Sequence, residues 1–105
     1  RKVADKTLNG ILASGYGIFA GRDTQTTRLR FTPERARWVA TETWHPQQKG
    51  WFDEGGSYVL EFPYSNDREL VMDILKQGPA VEVISPAPLR KRVQAQAGAI
   101  LRHYR

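Results

Sequence analysis

Thr26-Thr-Arg-Leu-Arg-Phe-Thr-Pro-Glu34 changes its hydrophobic period within nine residues. Thr27, Leu29 and Phe31 alternate with Arg28 and Arg30, the two-residue repeat of a strand buried on one face. Thr32-Pro33-Glu34 then reads as a helix start. A hydroxyl accepts from free amides, a proline suits the first turn, and an acid sits near the positive helix end. The pattern predicts a strand over 26–31 followed at once by a short helix ending near Ala40.

Downstream, Thr43 to Lys49 and Ser57 to Phe62 read as two strands joined through the turn Asp53-Glu54-Gly55-Gly56. Asn66 and Glu69 have the spacing of a capping box. Leu70, Val71, Ile74 and Leu75 form an apolar helical stripe, and Gly78 stands where a left-handed residue closes a helix. Ala80 to Ile84 is a short last strand. Ser85-Pro86-Ala87-Pro88 opens a final helix in which Leu89, Val93, Ala97, Ile100 or Leu101, and Tyr104 recur at steps of three and four. The order predicts an α+β domain: a four-stranded antiparallel sheet with two helices on one face, the split βαβ arrangement (β-α-β-β-α-β), plus a C-terminal helix. Upstream, Val3, Leu8, Ile11 and Leu12 suit a short helix weakened by Gly10.

A chain of 105 residues is about one domain. It starts at Arg1 rather than Met, which points to a piece of a longer protein. With no cysteine, disulfides, thiolate metal sites and cysteine nucleophiles are excluded, and a reducing cytoplasm is the expected setting. No apolar run is long enough to span a membrane and no signal sequence opens the chain. The net charge of +5 is segregated. Arg90, Lys91, Arg92, Arg102 and Arg105 fall in a C-terminal stretch free of acids, whereas 53–73 holds six acids and only Arg68. A collected basic face attracts phosphate in a way that scattered charge does not, though charge runs are often merely solvated helix faces.

Gly15, Gly17 and Gly21 in Ser14-Gly-Tyr-Gly-Ile-Phe-Ala-Gly21 imitate a dinucleotide loop. The motif needs a strand before it, a helix after it and an acid about 20 residues on, and none fits. A hinge with Tyr16, Ile18 and Phe19 packed as anchors is the better reading. Catalysis lacks partnered groups, and no enzyme activity, cofactor or metal is expected. His45 and His103, the only histidines, lie 58 positions apart with no third ligand placed by spacing.

Trp44-His-Pro-Gln-Gln-Lys-Gly-Trp-Phe52 mixes aromatic, amide and basic groups that stack bases and contact phosphates. Equally, Trp44 and Phe52 serve as core or interface anchors while His45 hydrogen-bonds locally. Arg28 and Arg30, on the outer face of the first strand, would stand beside this hairpin. Arg90, Lys91 and Arg92 occupy a first helical turn, where the dipole disfavours cations by about 0.3–1 kcal/mol each. They call for a partner: a phosphate, the acidic 53–73 segment or a second subunit.

The ensemble resembles WCX, the C-terminal extension of bacterial WYL-domain transcriptional regulators. The resemblance rests on Ser14 to Gly21, Arg28-Leu-Arg-Phe31, Ala36, Trp44-His-Pro-Gln-Gln48, Gly55-Gly56, Glu69-Leu70 through Gly78, Val81-Glu-Val83, Pro88-Leu-Arg90 and Tyr104. It implies a ferredoxin-like fold over 25–105, with 1–24 linking to an upstream WYL domain that follows a winged helix. It also implies a cytoplasmic homodimer and a share in sensing an effector, single-stranded DNA in some members. Carried onto this chain, the implied effector residues are Arg28, Arg30, His45, Gln47, Gln48, Arg90 and Arg92, joined by Lys49 from the same hairpin. Tyr16, Phe19, Trp44 and Trp51 are the expected dimer or interdomain packing residues. The contrasting expectation is a purely structural dimerisation module without a ligand.

Overall fold

The computed structural model describes residues 24–105. Tyr16, Phe19 and the glycine hinge therefore lie outside the described residues. The elements run β1 (Gln25–Phe31), α1 (Pro33–Val39), β2 (Lys49–Phe52), β3 (Tyr58–Tyr64), α2 (Arg68–Lys76), a 3-10 turn (Gly78–Ala80), β4 (Val81–Ser85) and α3 (Ala87–Arg102). The chain folds as α+β, with one four-stranded antiparallel sheet ordered β2-β3-β1-β4 and three helices.

Register fixes what each face carries. Leu29 pairs with Leu60 and Val83, and Phe31 with Tyr58 and Val81, while Thr27 meets Phe62. These residues face the helices and close a core with Ala36 and Val39 of α1, Leu70, Val71 and Ile74 of α2, and Leu89 of α3. Arg28 pairs with Glu61, and Arg30 with Val59, so the alternate residues face away from the helices. The period of two in 26–31 is therefore the division between core and open face.

The local signals act as sequence chemistry requires. Thr32 caps α1 with its hydroxyl, accepting from the Arg35 amide at 3.4 Å, and Pro33 fills the first turn. Gly78 follows the end of α2 at φ +59°, a conformation costly for any residue with a Cβ. Asp53 Oδ1 accepts from the amides of Gly55 and Ser57, holding the β2–β3 turn.

Three expectations are corrected. The strand expected over Thr43 to Lys49 begins only at Lys49, because 43–48 spend their hydrogen bonds within a turn. Only the Asn66 half of the expected capping box forms: its Oδ1 accepts from Arg68 N at 3.0 Å, and α2 begins one residue later than that box requires. In α3 the apolar stripe reaches the core through Leu89 and Val93 alone. Ala97, Ile100, Leu101 and Tyr104 are exposed.

Gly50 on β2 shows how the edge strand is seated. A Cβ there would run into the ring and hydroxyl of Tyr58, which lies across it and packs edge-on against Phe52 at 5.0 Å. Gly50→Ala is expected to lower stability by about 1–3 kcal/mol by displacing this ring. Urea unfolding measures it, and the loss should shrink in a Tyr58→Ser background, where the obstruction is gone.

Candidate functional site

The face turned away from the helices carries two cross-strand rows. One runs Lys49, Glu61, Arg28 and the other Trp51, Val59, Arg30, with Glu82 of β4 beyond Arg30. The sequence thus places Arg28, Arg30, Lys49 and Trp51 together. Trp51 is 41% exposed, and the Arg28 guanidinium lies 5.6 Å from its ring centroid. Val59 is buried between the rows.

Two carboxylates temper the cations. Arg28 donates from Nε to Glu61 Oε2 at 2.6 Å and reaches the same oxygen with Nη2. Arg30 Nε donates to Asp53 Oδ2 at 3.0 Å. These exposed pairs contribute at most about 1 kcal/mol each to stability. They matter more for binding, since a phosphate must compete with a carboxylate already in place. Lys49 has no ion-pair partner among the described residues. Sequence reading missed Glu61 and Asp53 as members of this face. The signal lay in Glu61 alternating against Leu60 and Phe62, which puts it on the arginines' side.

The remaining expected contact residues are placed elsewhere. His45 is fully buried, stacked on Phe62 with ring centroids 5.7 Å apart. Its Nδ1 accepts from the Gln47 amide at 2.9 Å, so the neutral ring carries its proton on Nε2. That Nε2 is buried without a hydrogen-bond partner. Gln48 is a staple of the backbone: Oε1 accepts from Trp44 N at 2.6 Å and His45 N at 3.0 Å, while Nε2 donates to the Glu42 carbonyl at 3.0 Å. Gln47 is exposed in the same turn and engages it through its backbone. Trp44, expected at an interface, packs edge-on against Phe31 at 5.5 Å and donates from Nε1 to Glu42.

The basic start of α3 finds its partners inside the chain. Arg90 donates to the Val83 carbonyl at 2.7 Å and lies 3.6 Å from Glu82, and Arg92 pairs with Asp67 at 3.2 Å. Of the three partners the sequence left open, the acidic segment takes Arg92. Among the described residues no His, Asp or Glu cluster could hold a metal ion, and no helix is long and apolar enough to cross a membrane.

A family model for the WCX domain matches residues 23–101, spanning all four strands and most of α3. The chain belongs to the WCX domain family. No curated protein matches it. The matched span covers both the open face of this WCX domain and the Gln48 turn, so both belong to the family segment rather than to an appended one.

Burial alone pushes the His45 pKa below its usual 6.5. The unfolded chain then binds more protons than the folded one as pH falls below 6.5, so stability is present above that pH and declines beneath it. Urea midpoints should drop between pH 7 and 5.5. His45→Phe, though less stable overall for want of the Gln47 acceptor, should show a flatter decline.

Proposed function

We propose that this WCX domain is the C-terminal regulatory and dimerisation module of a WYL-type bacterial transcriptional regulator, and that its open sheet face helps sense a nucleic-acid or nucleotide-like effector. The observation that carries the reading is the face turned away from the helices, which no described element covers. An exposed tryptophan stands beside a guanidinium, with a second arginine and a lysine that has no ion-pair partner among the described residues in adjacent rows. Aromatic and guanidinium planes stack bases, and the cations attract the backbone. The finer fold assignment is the ferredoxin-like sandwich: β1 and β3 are central, β2 and β4 are edges, and α1 and α2 follow β1 and β3 in a β-α-β-β-α-β order.

One observation favours the alternative of a purely structural module. Ile100, Leu101 and Tyr104 are 49%, 56% and 82% exposed on the last turns of α3 and beyond, an apolar strip suited to a second subunit or a neighbouring domain. The two roles separate experimentally. If the open face binds phosphates, affinity for a fluorescent single-stranded oligonucleotide falls steeply with salt. Arg28→Ala with Arg30→Ala then reduces the log–log slope by about 1.4, at ~0.7 per phosphate contact. Absence of binding at low salt overturns the sensing role and leaves the structural one. Sedimentation tests dimerisation: a concentration-dependent mass is expected, reduced by Leu101→Lys, and a strictly monomeric chain at high micromolar concentration overturns it.

A further inference from the structure

The β2 edge leaves backbone groups that the described chain does not use. Lys49, Gly50, Trp51 and Phe52 pair with β3 alone, and all four are exposed. The Asp53 amide donates to the Ser57 carbonyl at 2.8 Å, which continues the same register past the strand. Antiparallel pairing turns backbone groups inward at alternate residues, so Lys49, Trp51 and Asp53 address β3 while Gly50 and Phe52 point their amides and carbonyls outward. Those outward groups take no hydrogen bond from the described residues. The opposite edge differs. There the Val83 carbonyl of β4 accepts from Arg90 at 2.7 Å, a residue of the helix that follows the strand.

An open edge is a template for another strand, and natural edges are commonly blunted with charge or proline. This one carries two exposed rings, Trp51 at 41% and Phe52 at 57%, and a single lysine. A second copy of β2 fits it best in the antiparallel register centred on Trp51. Gly50 then lies opposite the partner's Phe52, and Phe52 opposite the partner's Gly50, so each outward amide and carbonyl of the strand meets its complement. Phe52 is thereby set against the partner's Tyr58, whose ring crosses Gly50. The same register sets Lys49 opposite the partner's Asp53. Lys49 has no ion-pair partner among the described residues, and Asp53, although it accepts from Arg30, keeps its side chain 25% exposed. Centring on Gly50 or on Phe52 instead would set Trp51 opposite the partner's Lys49 or Asp53, which loses both ion pairs and half of the strand's hydrogen-bonded pairs.

We propose that two copies of this chain join edge to edge through β2, antiparallel and centred on Trp51, so that their sheets continue as one and the two Trp51 rings adjoin on the open face. This rests on the dimerisation reading above and names an interface for it. The contact is isologous, the same patch on both copies, and it removes the free edge. It is short, which places association in the micromolar rather than the nanomolar range. Because α3 follows β4 at the other edge of the sheet, the contact is separate from the apolar strip on that helix.

Sedimentation equilibrium of the Leu101→Lys chain isolates the β2 contact. That variant should still dimerise at micromolar concentration, and adding Lys49→Glu, which puts like charges opposite the partner's Asp53, should raise the dissociation constant about tenfold. Cross-linking reads the register, since the chain has no cysteine. Facing residues of a non-hydrogen-bonded pair have Cα atoms about 4.5 Å apart, within disulfide reach, so Trp51→Cys should link two chains in oxidised glutathione. Lys49→Cys, roughly 13 Å from its own copy in this register, should not. A monomeric Leu101→Lys chain beside a dimeric wild type overturns the proposal and leaves dimerisation through α3. An unchanged constant with Lys49→Glu, no link at Trp51→Cys, or equal linking at both positions also overturns it. A wild-type chain that stays monomeric at high micromolar concentration overturns both this proposal and the dimerisation reading. Thermal unfolding of Lys49→Glu, expected within a few degrees of wild type because the residue is exposed, shows that the variant is folded.

Discussion

The antiparallel pairing of β1 with β3 is the constraint on which the other features depend. Seven residue pairs from Gln25↔Tyr64 to Phe31↔Tyr58 set Leu29, Phe31, Tyr58, Leu60, Phe62 and Tyr64 on the core face and Arg28, Arg30 and Glu61 on the other. A slip of one residue would drive Arg28 and Arg30 into the space now filled by Leu29 and Phe31, against α1 and α2. Burying unpaired guanidinium groups is far costlier than losing a few strand hydrogen bonds, so the register has one solution. The same rigidity makes the open face a defined surface, because Glu61 and Val59 lie on the central strand that the core holds.

The turn over 43–48 performs the second task of positioning, and it does so with polar groups where the sequence looked like a binding hairpin. Gln48 supplies two acceptor bonds and one donor bond to the backbone around it, replacing ladder bonds that a longer β2 would have made. His45 and Trp44 turn inward onto Phe62 and Phe31. Their ring area closes the core on the side of α1, where the short helix contributes only Ala36 and Val39 to the buried set. An aromatic and amide cluster thus serves packing at its start and exposure at its end. Trp51 and Phe52, seven and eight residues after Trp44, are the rings left for solvent.

That division explains what could be read in advance. Local chemistry that closes within a few residues was legible: Thr32-Pro33 starting a helix, Gly78 ending one, Asp53 to Gly56 turning, and the alternation at 26–31. It also placed Arg28 and Arg30 beside the hairpin, where they stand with Trp51 and Lys49. Features decided by distant partners were not legible. Nothing around His45 in sequence announces Phe62, and nothing near Arg92 names Asp67. The neutralisation of Arg28 by Glu61 spans 33 positions, so charge counted by segment overstated how bare the basic face is.

Helix α3 shows how such long-range pairing turns an awkward charge into a device. Cations in its first turn oppose the helix dipole, yet Arg90 recovers a carbonyl and Glu82, and Arg92 recovers Asp67 at the start of α2. The helix is therefore fixed to β4 and α2 at its N-terminal end, with Leu89 driven into the core, while its last turns carry exposed apolar residues. Sixteen residues make an arm of about 24 Å, at 1.5 Å per residue, whose direction is set at its base. Glu82, which contacts Arg90 there, pairs in register with Arg30 of the open face. Glu82 thus lies between the base of the arm and the open face, bonded to the first and in register with the second. The anchor combines two kinds of hold: exposed ion pairs that contribute at most about 1 kcal/mol each, and the buried Leu89 that keeps the helix on the domain.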